Sequence, residues 1–65
     1  MNSQELDTLE RMVDVHGLKA VLSALGEICL DKAEHIMRSY DDQPLAKQWA
    51  RTGASLLTRA DKITV

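Results

Sequence analysis

The stretch Leu18–Tyr40, LKAVLSALGEICLDKAEHIMRSY, decides the fold of this chain. Its apolar side chains recur at intervals of three and four residues, which is the spacing of one face of an α-helix. At 100° per residue they cover about half of the helix circumference, more than one neighbouring helix covers. The band comprises Leu18, Val21, Leu22, Leu25, Ile28, Cys29, Ala33, Ile36 and Tyr40, and Leu30 and Met37 widen it further. We therefore expect this helix to be covered from two sides, by its own chain or by another.

Local signals on the N-terminal side of this stretch predict a first helix over residues 3–16. Asn2 or Ser3 can cap it, because their side-chain oxygens accept hydrogen bonds from free main-chain amides. Gly17 suits the end of the helix, since glycine reaches a positive φ without a Cβ clash. The hinge before the second helix is thus very short and predicts a sharp turn, although Gly17 can also be a kink within one long helix.

Signals on the C-terminal side predict a second helix over residues 18–39 and a third over residues 44–62. Asp41 or Asp42 can cap the third helix, and Pro44 is tolerated in its first turn. The apolar stripe of this helix includes Leu45, Trp49 and Leu56, and Ile63–Val65 is expected to fray. Gly53 lies in the middle of the stripe, where either it permits close approach of a neighbouring backbone or it is merely tolerated.

The chain of 65 residues makes one domain, 1–65, with a small core. Its single cysteine cannot form an internal disulfide, and no metal cluster is visible to replace one. By elimination, self-association or a partner protein is left to complete the core. We predict an all-α fold with a long central helix, an antiparallel third helix and completion as a homodimeric bundle.

No catalytic, metal or cofactor signature is present, so we predict a non-enzyme without a small-molecule substrate. Asp31 and His35 have a spacing that metal sites use, but the helix offers no third ligand, and an exposed ion pair is the preferred interpretation. His16 is interpreted as a helix-end residue rather than a pH switch. Cys29 lies within the apolar band, which predicts a buried and inert thiol.

The charges are divided unevenly along the chain. Residues 1–43 contain nine acids and four bases, a net charge of −5, and residues 44–65 contain four bases and one acid, a net of +3. Three interpretations follow: solvated faces with local pairs such as Asp7–Arg11 and Glu34–Arg38, docking of a basic helix on the acidic helix of another copy, and contact with nucleic acid. The candidate phosphate contacts are Lys47, Arg51, Arg59 and Lys62.

The segment from Leu9 to Leu22, a helix followed by Gly17 and a second helix, resembles a DNA-binding helix-turn-helix. The resemblance covers about a fifth of the chain and implies a small nucleic-acid-binding regulator. Val13 stands where such motifs usually have a small residue, and the helix after the turn is acidic on its exposed face. We keep nucleic-acid binding as the alternative function.

The primary prediction is a small helical protein–protein interaction protein, an adaptor or inhibitor, that acts through one helix face. Its candidate contact residues border the apolar band: Leu30, Met37, Tyr40 and Trp49. Burial within the same chain is the alternative for all four. The N-terminus lacks the basic and apolar regions of a signal peptide, and no apolar run reaches 18 residues, so we expect a cytoplasmic protein without a membrane span.

Overall fold

The computed structural model describes residues 1–65 and is all-helical, with three helices in chain order: α1 (Ser3–His16), α2 (Leu18–Tyr40) and α3 (Gln43–Ala60). The predicted bounds agree to within two residues. α1 starts with a capping box, in which the Glu5 amide donates to Asn2 Oδ1 at 2.8 Å and the Asn2 amide donates to Glu5 Oε1 at 3.0 Å. These two bonds satisfy main-chain donors that the first turn otherwise leaves free.

Gly17 makes a turn between α1 and α2, so a kink within one long helix is the wrong alternative. Its φ of 88° and ψ of 154° lie in a region that is essentially restricted to glycine. The main-chain oxygen of Val65 accepts a hydrogen bond from the Lys19 amide at 2.8 Å. This bond compensates for the lack of a side-chain cap on α2. The predicted fraying of Ile63–Val65 is therefore wrong, because the segment returns to the start of α2.

Two aspartates with different roles connect α2 to α3. Asp41 ends α2 in the left-handed conformation, with a φ of 51°, and the Asp42 carboxylate accepts from the Leu45 amide at 3.1 Å. Pro44 occupies the first turn of α3, where its missing amide hydrogen costs nothing. Of the two candidate caps, Asp42 is thus the one that caps α3.

α2 and α3 form an antiparallel hairpin whose backbones approach closely at two glycines. A Cβ on Gly53 would lie 2.8 Å from the Gly26 carbonyl oxygen, and a Cβ on Gly26 would lie 3.0 Å from the Gly53 oxygen. The remaining buried positions along this contact are mostly alanines, Ala33, Ala46 and Ala60. We call this line of small residues the seam. The close approach predicted for Gly53 is confirmed, and Gly26 is its counterpart.

The fold of the single chain is open. Its radius of gyration is 13.6 Å, whereas a compact chain of this length has about 11 Å. α1 contacts α2 but not α3, and none of its residues is buried. Only seven residues of the chain are buried, and no large side chain is fully enclosed. A single copy therefore has a packed seam but lacks a core on either side of it.

Candidate protein-binding surface

One side of the hairpin is defined by a contact across the seam, in which Lys32 Nζ lies 5.6 Å from the centre of the Trp49 ring. Several apolar residues of α2 lie within about 40° of Lys32 around the helix axis, so they face the same side. In α3, Leu45 and Leu56 lie within about 40° of Trp49. We call this surface the Trp49 side; it comprises Leu18, Leu25, Ile28, Ile36, Leu45, Trp49 and Leu56.

Val21 faces the same side and is buried, but the rest of the Trp49 side is poorly covered. Ile28 is 48% exposed and Leu25 is 41% exposed, although both lie in the middle of the longest helix. Ile36, Trp49 and Leu56 are half-buried. Scattered exposed apolar residues are normal on protein surfaces, whereas several that share one side of two helices are typical of an interaction site.

α1 carries a second uncovered apolar stripe. Leu6, Leu9, Met12 and Val13 recur at helical spacing, as expected for a helix that packs against another element. Leu6 is nevertheless 53% exposed, and Leu9 and Val13 are only half-buried. Because α1 contacts α2 alone, its stripe has no complete partner within the chain.

The opposite side of the hairpin holds two of the predicted contact residues, Leu30 and Met37. A Cβ on Gly53 would lie 3.0 Å from the Leu30 side chain, so Leu30 covers the seam and remains 37% exposed. Met37 is 40% exposed and lines a shallow groove of about 390 Å³. We call this surface the Met37 side. The groove is lined by Ala33, Glu34, Met37, Gln43, Ala46, Lys47 and Ala50.

The four predicted contact residues thus do not form one patch. Trp49 lies on one side of the hairpin, and Leu30 and Met37 lie on the other. Tyr40 ends α2 with 72% of its surface exposed, and its ring meets the ring of His35 edge-on at 6.0 Å. Of the four, only Trp49 belongs to the broader apolar surface.

The charges of the helices are arranged unevenly around these surfaces. α1 contains four acids and one arginine, a net of −3, and α3 contains three bases and no acid, a net of +3. All four candidate phosphate contacts are exposed: Lys47, Arg51, Arg59 and Lys62. Lys47 and Arg51 line one shallow polar depression, and Arg59 and Lys62 line another. Three of these basic residues lie in α3 and Lys62 lies in the turn after it, and the four do not converge on one pocket.

The polar side chains make few contacts with one another. Glu34 and Arg38 form the one ion pair, and both are well exposed. The ion pairs predicted for Asp31–His35 and Asp7–Arg11 are absent from the structure. No three histidine, cysteine, aspartate or glutamate side chains gather in a metal-binding arrangement. Cys29 is buried, as predicted, and forms no disulfide.

Sequence reasoning missed Leu25 and Ile28 as surface residues, because it counted them in the apolar band of α2 that neighbouring helices were expected to cover. It also missed Leu6 and Met12 as surface residues. The spacing of the apolar stripe of α1 is the same as that of a helix face buried in a core, so the spacing alone does not reveal their exposure. One signal was available: the small residues Gly26, Cys29 and Ala33 share one face of α2 and indicate the direction in which α3 lies. Ile28 is far from that direction on the helix, so α3 cannot cover it.

No protein-family model, curated protein or solved structure matches this chain. None of the three helices combines the length and apolar character needed to cross a bilayer.

Proposed function

We propose that this chain is a small helical protein-binding protein. It acts in the cytoplasm as an adaptor or inhibitor of another protein and has no catalytic activity of its own. It binds through the Trp49 side, with the apolar stripe of α1 contributing to the same interaction. This is the helix-in-groove mode of recognition, in which apolar anchors at helical spacing enter a complementary surface. Trp49 is the natural anchor, because tryptophan is enriched among the residues that dominate binding energies.

The observation that carries this proposal is the excess surface of the single chain. Its accessible surface is 5122 Å², whereas a folded monomer of 7.3 kDa is expected to expose about 4,200 Å². The excess of about 900 Å² is close to the roughly 800 Å² that each partner buries in a standard protein interface. Completion of the core as a homodimeric bundle is part of the proposal, since a second copy can supply this cover.

The direct test places a photo-crosslinking amino acid at Ile28 and, as a matched control, at Glu27. The two positions are adjacent in α2, but Glu27 points away from both the Trp49 side and α3. In cells that produce the protein, irradiation is expected to give a protein adduct from position 28 and little or none from position 27. Equal yields at both positions, or no adduct of any kind, would contradict protein binding through this side.

Nucleic-acid binding is the second candidate, and the acid-free surface of α3 is the observation that favours it. The one-residue hinge at Gly17 is shorter than the three- or four-residue turn of a helix-turn-helix, so this candidate rests on α3 alone. Titration with mixed DNA and RNA at low salt tests it. Binding that weakens steeply with salt, and that Lys47→Ala with Arg51→Ala reduces, would support the second candidate over the first.

A further inference from the structure

We propose that the partner of the Trp49 side is a second copy of this chain, and that α1 of each copy lies against α3 on the Trp49 side of the other. This proposal rests on the proposed function, because it names the partner of the same surface. Each copy both donates and receives a helix, so the contact is reciprocal and closes as a twofold dimer. The turn at Gly17 keeps its conformation, and no hinge has to open.

α1 is the segment best suited to cover the Trp49 side. It is fully formed, with its own capping box, yet it has no buried residue and does not contact α3 of its own chain. Its apolar stripe therefore needs a partner surface as much as the Trp49 side does. A helix of 14 residues is about 21 Å long, enough to lie along most of α3.

Charge complementarity selects α3 as the neighbour of α1 in the second copy. Glu10 follows Leu6 by one turn and Asp14 follows Glu10 by another, so acids line one border of the α1 stripe. On α3, Arg59 follows Leu56 by one turn and borders the Trp49 side, and Arg51 lies further round, on the outer face of the helix. Acids of α1 thus meet bases of α3 when α1 of one copy approaches α3 of the other.

The size of the uncovered surface also suits a second copy. The excess of about 900 Å² per chain matches the share that one partner buries in a standard dimer. A reciprocal contact uses both uncovered apolar surfaces of each copy, the α1 stripe and the Trp49 side. A partner that covered only one of them would leave the other exposed.

The test is a charge swap read by sedimentation equilibrium. One variant carries Glu10→Lys with Asp14→Lys, a second carries Arg51→Glu with Arg59→Glu, and a third combines all four. Each of the first two places like charges across the contact, and we expect dimer dissociation constants raised by about tenfold or more. The combined variant has the original net charge of −2 and restores opposite charges, so its dissociation constant should return close to that of the unmodified chain.

The matched control is Glu27→Lys with Asp31→Lys, which makes the same charge change as the first variant on the outer surface of α2. It should leave the dissociation constant within about threefold of the unmodified value. Circular dichroism confirms that each variant keeps its helices. A combined variant that stays as weak as the single-helix variants, or a dimer that none of the changes affects, overturns the placement of α1 on α3.

Failure of this proposal is distinguishable from failure of the proposed function. A chain that sediments as a monomer while the crosslinker at Ile28 captures a different protein overturns the second copy as partner and leaves protein binding intact. A chain that sediments as a monomer and gives no adduct at Ile28 overturns both.

Discussion

The α2–α3 seam and helix α1 are built from similar amphipathic sequence, yet only the seam buries its apolar side. The seam alternates glycines and alanines, which bring two backbones into contact and leave no large gap to fill. α1 carries two leucines, one methionine and one valine at the same spacing, but it contacts α2 alone and buries none of them. The comparison shows that an apolar stripe indicates the need for a neighbour, whereas small residues at matched positions indicate where the neighbour lies.

The largest expected effect comes from filling the seam at Gly53. Gly53→Leu drives a side chain into the Gly26 carbonyl oxygen, which is main chain and cannot rotate away. We expect the free energy of unfolding, measured in urea, to fall by about 2–3 kcal/mol or more. Ala54→Leu adds the same side chain at the next, exposed position and should change it by less than about 0.5 kcal/mol. Equal effects at both positions would mean that the seam is not closely packed.

The second prediction compares the two sides of the hairpin. Ile28→Asp places a charge on the Trp49 side and should weaken self-association by about a hundredfold, because the carboxylate must lose water in the contact. Met37→Asp makes a similar change at a similarly exposed residue of the Met37 side and should have little effect on association. The reverse result would place the interface on the Met37 side, together with Leu30.

The third prediction concerns the turn that separates α1 from the hairpin. Gly17→Ala forces a Cβ into a conformation with φ of 88°, and the added atom would lie 3.3 Å from the main-chain carbon of Val65. We expect a loss of about 1–3 kcal/mol in the free energy of unfolding. A synthetic chain with D-alanine at position 17 is the control, because that residue accepts a positive φ. If L- and D-alanine cost the same, backbone strain at Gly17 is not the cause.

The smallest expected effect is confined to α1. Asn2→Ala removes the side-chain half of the capping box and should cost about 1 kcal/mol of α1 stability. Amide hydrogen exchange should then speed up in α1 and stay unchanged at the seam, because no buried residue couples the two regions. Ser3→Ala is the control, since the Ser3 side chain makes no hydrogen bond. Faster exchange at Gly26 and Gly53 would show that α1 supports the hairpin directly.

The helix bounds were predictable because their signals are local. Asn2, Gly17, Asp42 and Pro44 each act on the turn beside them, and the structure uses each as its chemistry suggests. The close approach at Gly53 was predictable because a glycine inside an apolar stripe has few other uses. These features depend on residues within one or two turns.

The arrangement of the surfaces was not predictable in the same way, because it depends on where α3 lies around α2. Leu30 and Met37 border the apolar band in the sequence and Ile28 belongs to it, and the seam at Gly26 leaves Leu30 and Met37 on one side of the hairpin and Ile28 on the other. The return of Val65 to Lys19 is also a long-range contact with no local signal. If Gly26 had been paired with Gly53, the orientation of α3 against α2 would have followed. The division of Leu30, Met37 and Ile28 between the two sides of the hairpin would then have been predictable.

Sedimentation equilibrium of the unmodified chain tests most directly the claim that one copy leaves the Trp49 side and the α1 stripe uncovered and a second copy covers them. At about 10 µM, where an interface of this size is expected to hold, we expect a mass twice the 7.3 kDa of the chain. We also expect a shift toward the single-chain mass on dilution. A mass of 7.3 kDa at every concentration would contradict this claim.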